Sequence, residues 1–222
     1  EAVVWEAEDS VVNRRFDINY ANTLIFFRPV EYSMGSSDNS LLGFSSTLRP
    51  FKGVTLYGQI LLDEFLFGEW SAPFRVRLLG DSTLQTGYWA NKQSYQLGVK
   101  ILEPLGLKNA SFVAEFNAVR PFTYGHSNAT QSYTNANQPL AHPLGSNFIE
   151  WVQITTWQPG KFNFGLFTTY SRKGFTNSIA VMGDDVLISN TERDLGQREY
   201  GNFMLQGRRV DVANIRLNAG YE

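Results

Sequence analysis

Residues 112–119 read Phe-Val-Ala-Glu-Phe-Asn-Ala-Val. In an extended chain successive side chains point to opposite sides, so Phe112, Ala114, Phe116 and Ala118 share one face and Glu115 and Asn117 the other. The same period of two recurs along the chain. In 54–62, Val54, Leu56, Ile60 and Leu62 oppose Thr55, Tyr57 and Gln59. In 96–101, Leu97, Val99 and Ile101 oppose Gln96 and Lys100. In 162–170, Phe162, Phe164, Leu166 and Tyr170 oppose Asn163 and Thr169. In 213–221, Ala213, Ile215, Leu217 and Tyr221 oppose Asn214, Arg216 and Asn218. The pattern predicts about eight strands, at 16–28, 40–49, 54–64, 94–102, 110–121, 148–157, 161–171 and 210–221. No stretch reads as a capped helix of three turns, so the expected class is all-β and antiparallel.

The connections alternate in length. Short links at 49–53, 103–108 and 158–160 carry Pro and Gly in turn positions. Long links run roughly over 65–92, 123–147 and 172–208. Several long loops count against a compact soluble domain, whereas short turns at one rim and long loops at the other are the habit of outer-membrane barrels.

Composition agrees. Of 222 residues, 14% are aromatic and 18% charged, the latter below the ~25% usual for soluble domains. Nineteen basic and 21 acidic residues give a net charge of −2, which is not the balance of a nucleic-acid binder. The absence of cysteine excludes disulfides, thiolate metal sites and Cys nucleophiles. No run of ~18 apolar residues is present, so no helix crosses a membrane. A membrane β-barrel hides its lipid-facing residues by alternation and so has neutral mean hydropathy, here −0.23.

A soluble β-sandwich alternates too. Three features favour the barrel. Polar faces carry amides, glycines and isolated charges suited to a wet lumen, with Gln59, Lys100, Glu115, Asn117, Asn163, Asn214, Arg216 and Asn218 expected to face it. Aromatic residues lie near strand ends, at Phe112, Trp157, Phe162, Tyr170 and Tyr221, like the girdles found at bilayer interfaces. Long and short links also alternate in strict order. The opening segment Glu1–Arg15 lacks the basic-then-apolar order of a signal peptide, and 216–222 stops inside an alternating run. The expectation is one barrel domain, or a segment of a larger one, over 1–222 with truncated ends.

Several separated motifs carry a family resemblance. They are Phe27-Arg-Pro-Val-Glu-Tyr32, Ser37-Asp-Asn-Ser-Leu-Leu-Gly43, Leu56-Tyr-Gly-Gln-Ile-Leu-Leu-Asp-Glu-Phe65, Val119-Arg-Pro-Phe-Thr-Tyr124 and Asn137-Gln-Pro-Leu-Ala-His-Pro-Leu-Gly-Ser-Asn147. Together they resemble outer-membrane barrels of the capsule-assembly Wzi type, and most of all the RemB-like gliding-motility proteins. The resemblance implies a longer parent barrel in a Gram-negative outer membrane. It implies a non-enzymatic surface role in polysaccharide (capsule) attachment or gliding motility, without cofactor. The implied partners are outer-membrane lipid, surface polysaccharide and other outer-membrane or motility proteins, with no nucleic acid. A pore or transporter, or a soluble secreted carbohydrate-binding β-domain, stand as alternatives.

The chemistry-bearing clusters read as follows. Asp63 and Glu64 are adjacent on a strand and point to opposite faces, so they cannot flank one glycosidic bond. Asp184 and Asp185 lack the further ligands of a calcium loop and read as a polar turn. His126 and His142 have no metal-ligand spacing; His142, in Ala141-His-Pro143, is expected to pin its loop by a hydrogen bond. Within 120–147, Tyr124, His126, Tyr133, Asn135, Asn137 and Gln138 form a neutral amide- and aromatic-rich set. Amides meet sugar hydroxyls and aromatic faces cover the C–H faces of a ring, so these six are the candidate ligand residues. The competing reading is a self-packed loop folded over the lumen. Asn128-Ala-Thr130 fits a glycosylation sequon by chance.

Overall fold

The computed structural model describes residues 2–4, 39–177, 180–190 and 199–222; the expected strand at 16–28 lies outside them. Eight strands form one antiparallel sheet: β1 (Ala2–Val4), β2 (Asn39–Phe51), β3 (Val54–Asp63), β4 (Gln93–Leu102), β5 (Ala110–Val119), β8 (Phe148–Trp157), β9 (Phe162–Phe175) and β10 (Arg208–Tyr221). Each pairs with its neighbour in the chain, save that β5 pairs with β8 across a hairpin of two short strands, β6 (Thr134–Asn135) and β7 (Gln138–Pro139). Among the described residues the sheet does not close into a barrel: β1 and β10 are its two edges.

The register separates the faces. Phe116 stands opposite Leu97 on β4 and Trp151 on β8, Leu97 opposite Gly58, and Trp151 opposite Tyr170, which pairs with Ala213. That face is apolar and open: Leu97 is 65% exposed, Trp151 55%, Ile215 73% and Leu217 76%. Polar groups on it bond within small sets, as Gln153 does with Thr155 and Thr168 and Asp211 does with Arg172 and Tyr170. Where the short turns lie, the face ends in a row of packed rings. Trp157 and Phe164 centroids are 5.8 Å apart, Phe162 and Phe164 6.3 Å, and Phe162 and Tyr221 5.1 Å.

The opposite face carries all eight residues expected on the polar side: Gln59, Lys100, Glu115, Asn117, Asn163, Asn214, Arg216 and Asn218. Glu115 is held at both of its oxygens. Tyr57 Oη donates to Glu115 Oε2 at 2.7 Å and Asn117 Nδ2 to Glu115 Oε1 at 2.9 Å. Tyr57 reaches Glu115 by lying over Gly98, where a Cβ would come within 2.1 Å of its ring. Apolar side chains interrupt this face at Val113, Val152, Ile154 and Phe167, the last under the Arg216 guanidinium at 5.9 Å.

The buried core lies at the long-loop end of the polar face. Leu41, Val119 and Phe148 from the strands meet Tyr124 and Val186 from the loops, with Leu61, Tyr133, Leu144 and Leu187 around them. The loops therefore fold back over the sheet, leaving the strand middles open.

One sequence expectation is corrected. The link after β3 holds a helix, α1 (Phe67–Leu79). Leu66 at its N-cap supplies no side-chain bond and Pro73 sits inside it, both contrary to ordinary helix signals. Its C-terminal signals are regular: Arg77 in the last turn and Gly80 in the left-handed conformation (φ 68°). Phe67, Trp70, Phe74 and Leu78 form an outward stripe, each 47–68% exposed.

Candidate functional site

The segment 120–147 leaves β5 through a compact turn in which Phe122 (φ 66°) and Tyr124 (φ 72°) adopt left-handed backbone. Strained backbone of this kind needs fixed partners. Tyr124 N–H donates to Asp63 Oδ2 at 2.7 Å, its carbonyl accepts from Tyr133 N at 2.8 Å, and its hydroxyl donates to Ser94 Oγ at 2.7 Å. The ring is 3% exposed. Burial pushes the phenol up to about 12. Tyr124 is thus mostly packed inward, where a stacking role was expected, and it only borders the cleft described below.

The other expected ligand residues are dispersed. Tyr133 is partly buried beside Tyr124, ring centroids 6.3 Å apart. His126 Nδ1 shares a 2.6 Å hydrogen bond with Gln131 Oε1, and its Nε2 lies 3.9 Å from Glu64 Oε1. Asn135, Asn137 and Gln138 stand exposed on the β6–β7 hairpin. Ala136 (φ 49°) and Asn137 (φ 59°) make its turn, the conformation of a type I′ hairpin, so Asn137 serves backbone geometry.

A cleft of about 160 Å³ lies between this loop and the polar sheet face, lined among others by Gln59, Gln96, Asn117, Tyr133 and His142. It brings together Tyr133 and two of the residues expected on the polar face, Gln59 and Asn117. At its edge His142 Nε2 meets Glu150 Oε2 at 3.0 Å while His142 Nδ1 accepts from Leu144 N at 3.2 Å. Asn117 Nδ2 contacts Glu150 Oε2 at 3.4 Å and Glu115 Oε1 at 2.9 Å. This chain of imidazole, carboxylate and amide pins the loop to the sheet. Glu150 was missed as a site residue, although its alternation in the 148–157 strand puts it on the same side as Glu115.

Two further clusters hold loops. Lys92, wholly buried, donates from Nζ to Glu64 Oε1 at 3.2 Å and to the Gly125 carbonyl at 2.9 Å, with the Trp89 ring 5.4 Å away. Asp184 Oδ1 accepts from Thr176 N at 2.8 Å, and Asp185 Oδ1 accepts from Leu187 N at 2.9 Å as in an Asx turn. The carboxylates expected as a polar turn are engaged in this way. The cleft can offer amide donors and acceptors, an aromatic edge and one imidazole–carboxylate pair, a set suited to hydroxyl-rich neutral ligands.

Comparison of the chain with protein-family models, with curated proteins and with solved structures returned no match.

Proposed function

We propose that this chain belongs to a non-enzymatic outer-membrane β-barrel that handles polysaccharide at the bacterial surface, in capsule attachment or gliding motility. The observation that carries the membrane part is the two-faced sheet. Its apolar face runs open from Leu97 to Leu217 and is bordered by the rings of Trp157, Phe162 and Tyr221, while amides and braced carboxylates occupy the other face. Unpaired backbone in lipid costs several kcal/mol per group, so in this reading further backbone covers the edges and the sheet is one arc of a barrel. The tight turns then face the periplasm and the long links face outward.

The polysaccharide part rests on the amide-rich cleft beneath 120–147 and on the motif resemblance. Gln59 and Gln96 would bond sugar hydroxyls and Tyr133 would border the ring. The test uses cells expressing Gln59→Ala/Gln96→Ala. The expected result is reduced retention of the cells' own polysaccharide, with barrel abundance unchanged and protease cutting intact cells within 199–207 but not at 103–109. Normal retention at normal abundance overturns the polysaccharide role. Extraction of the protein without detergent overturns the membrane role.

A further inference from the structure

A second and larger cavity, about 720 Å³, lies on the apolar side of the sheet. Helix α1 supplies Trp70 and Pro73, the link before β4 supplies Tyr88 and Asn91, and the segment before β10 supplies Asn202 and Phe203. The sheet supplies the floor with Tyr95, Phe116 and Ala118. Three buried polar atoms there have no hydrogen-bond partner among the described residues: Asn91 Oδ1, Gln93 Oε1 and Arg120 Nε. Asn91 and Gln93 are each 3% exposed. Native proteins seldom leave such atoms unpaired, since each costs about 1–3 kcal/mol. Arg120 and Glu69 are the charges in the lining; Glu69 accepts from the Tyr200 hydroxyl at 3.2 Å, and Arg120 forms no ion pair among the described residues. Burial draws the Arg120 pKa down from its ordinary value, the direction of a cation short of an anion.

The cavity does not end at these polar atoms. Tyr95, Phe116 and Ala118 also line an adjoining groove of about 550 Å³, which runs down the sheet over Phe44, Ile60 and Leu97. A chamber holding one guanidinium and one carboxylate thus opens into an apolar trough on one face. Its two orphan amide oxygens require hydroxyl or amine donors, and the guanidinium requires an anion. The stripe Phe67, Trp70, Phe74 and Leu78 on α1, flanked by Arg75 and Arg77, stands beside the chamber, in the manner of a helix lying at a lipid–water boundary.

We infer that this chamber and trough bind one membrane lipid with a phosphorylated, hydroxyl-bearing headgroup, the phosphate on Arg120, headgroup hydroxyls on Asn91 and Gln93, and an acyl chain along Phe44, Ile60 and Leu97. The inference rests on the membrane reading above. A glycerophospholipid and a phosphorylated saccharolipid share this chemistry.

The test titrates the full-length protein in a mild detergent with phosphatidylcholine, phosphatidylglycerol, lipid A and chain-free glycerol 3-phosphate, read by native mass spectrometry. The expected result is one anionic lipid retained at least tenfold better than phosphatidylcholine, and whether phosphatidylglycerol or lipid A binds tighter identifies the source. Arg120→Gln should abolish the preference. Ala118→Phe, which fills the passage between chamber and trough while leaving every polar group in place, should lower retention of both anionic lipids at least tenfold. Equal retention of all lipids, a preference that survives Arg120→Gln, or unchanged retention in Ala118→Phe overturns the inference. Glycerol 3-phosphate binding as tightly as lipid overturns it as well. A protein that needs no detergent fails the membrane reading instead; one that needs detergent but selects no lipid fails only this inference.

Discussion

Asp63 Oδ2 accepts the backbone N–H of Tyr124 at 2.7 Å across 61 positions of sequence. Asp63 closes β3 and is wholly buried, so the carboxylate that ends one strand holds the turn that leaves another. Charge-assisted bonds of this kind are worth about 1.5–3 kcal/mol. Asp63→Ala should cost at least that in urea unfolding and should raise hydrogen exchange at Tyr124 and Tyr133 before the strands exchange. Unchanged exchange at those two amides would show that the turn is held otherwise.

The Lys92–Glu64 pair gives a sharper energetic test. Lys92 is fully buried while the Glu64 side chain is 32% exposed. Removing one partner of a buried pair is costly, about 3–5 kcal/mol, because the other charge is stranded. Glu64→Gln, which leaves the wholly buried Lys92 ammonium without its carboxylate, should therefore destabilise more than Lys92→Met, which strands only the part-exposed Glu64. The double variant should be more stable than the sum of the two losses implies, as a double-mutant cycle would measure.

Ile215 and Asn214 are neighbours on β10 that point to opposite faces. If the apolar face meets lipid, Ile215→Arg near the bilayer middle should cost ~2–4 kcal/mol in a vesicle refolding titration. Asn214→Arg should cost much less. Equal losses would reject the assignment of faces.

The Tyr124 phenol sets an alkaline limit. Its folded pKa is raised to about 12 from 10.0, first by burial. A raised folded pKa means that the stabilisation is complete below pH 10 and is lost as pH climbs from 10 toward 12. Absorbance titration at 295 nm should show late tyrosine ionisation that coincides with unfolding in that window. Tyr124→Phe should reduce its amplitude by one tyrosine and, by losing the bond to Ser94, lower stability by about 1 kcal/mol at neutral pH.

Period two made the strands readable: 94–102 was expected where β4 runs Gln93–Leu102, and 148–157 coincides with β8. Helix α1 escaped because Leu66 is no cap, Pro73 interrupts it, and its apolar stripe faces outward instead of marking a buried side. The candidate ligand residues were harder to read, for a non-local reason. Whether Tyr124 stacks on a sugar or packs inside depends on Asp63 and Ser94, 61 and 30 positions away. Asn91 and Gln93 carry no signal of their own in the sequence, since only the fold brings Arg120 beside them. The polar face was legible because alternation alone fixes which residues share a side.

The strict alternation of link lengths also bears on how the chain assembles and varies. The pairs β2–β3, β4–β5 and β8–β9 are joined by 2, 7 and 4 residues respectively, so each hairpin can form early as a local unit. Joining one hairpin to the next requires closing a long link, and doubling such a link costs only about 0.6 kcal/mol. Insertions at that rim are therefore cheap. At the opposite rim the Gly53 carbonyl takes the Leu102 N–H at 2.7 Å, and a Cβ on Gly53 would stand 3.0 Å from the Leu102 carbonyl oxygen. One added residue there would shift the register and turn a strand's apolar row to the wrong side. Sequence drift is thereby channelled to the rim of long links, which can vary without disturbing the sheet beneath.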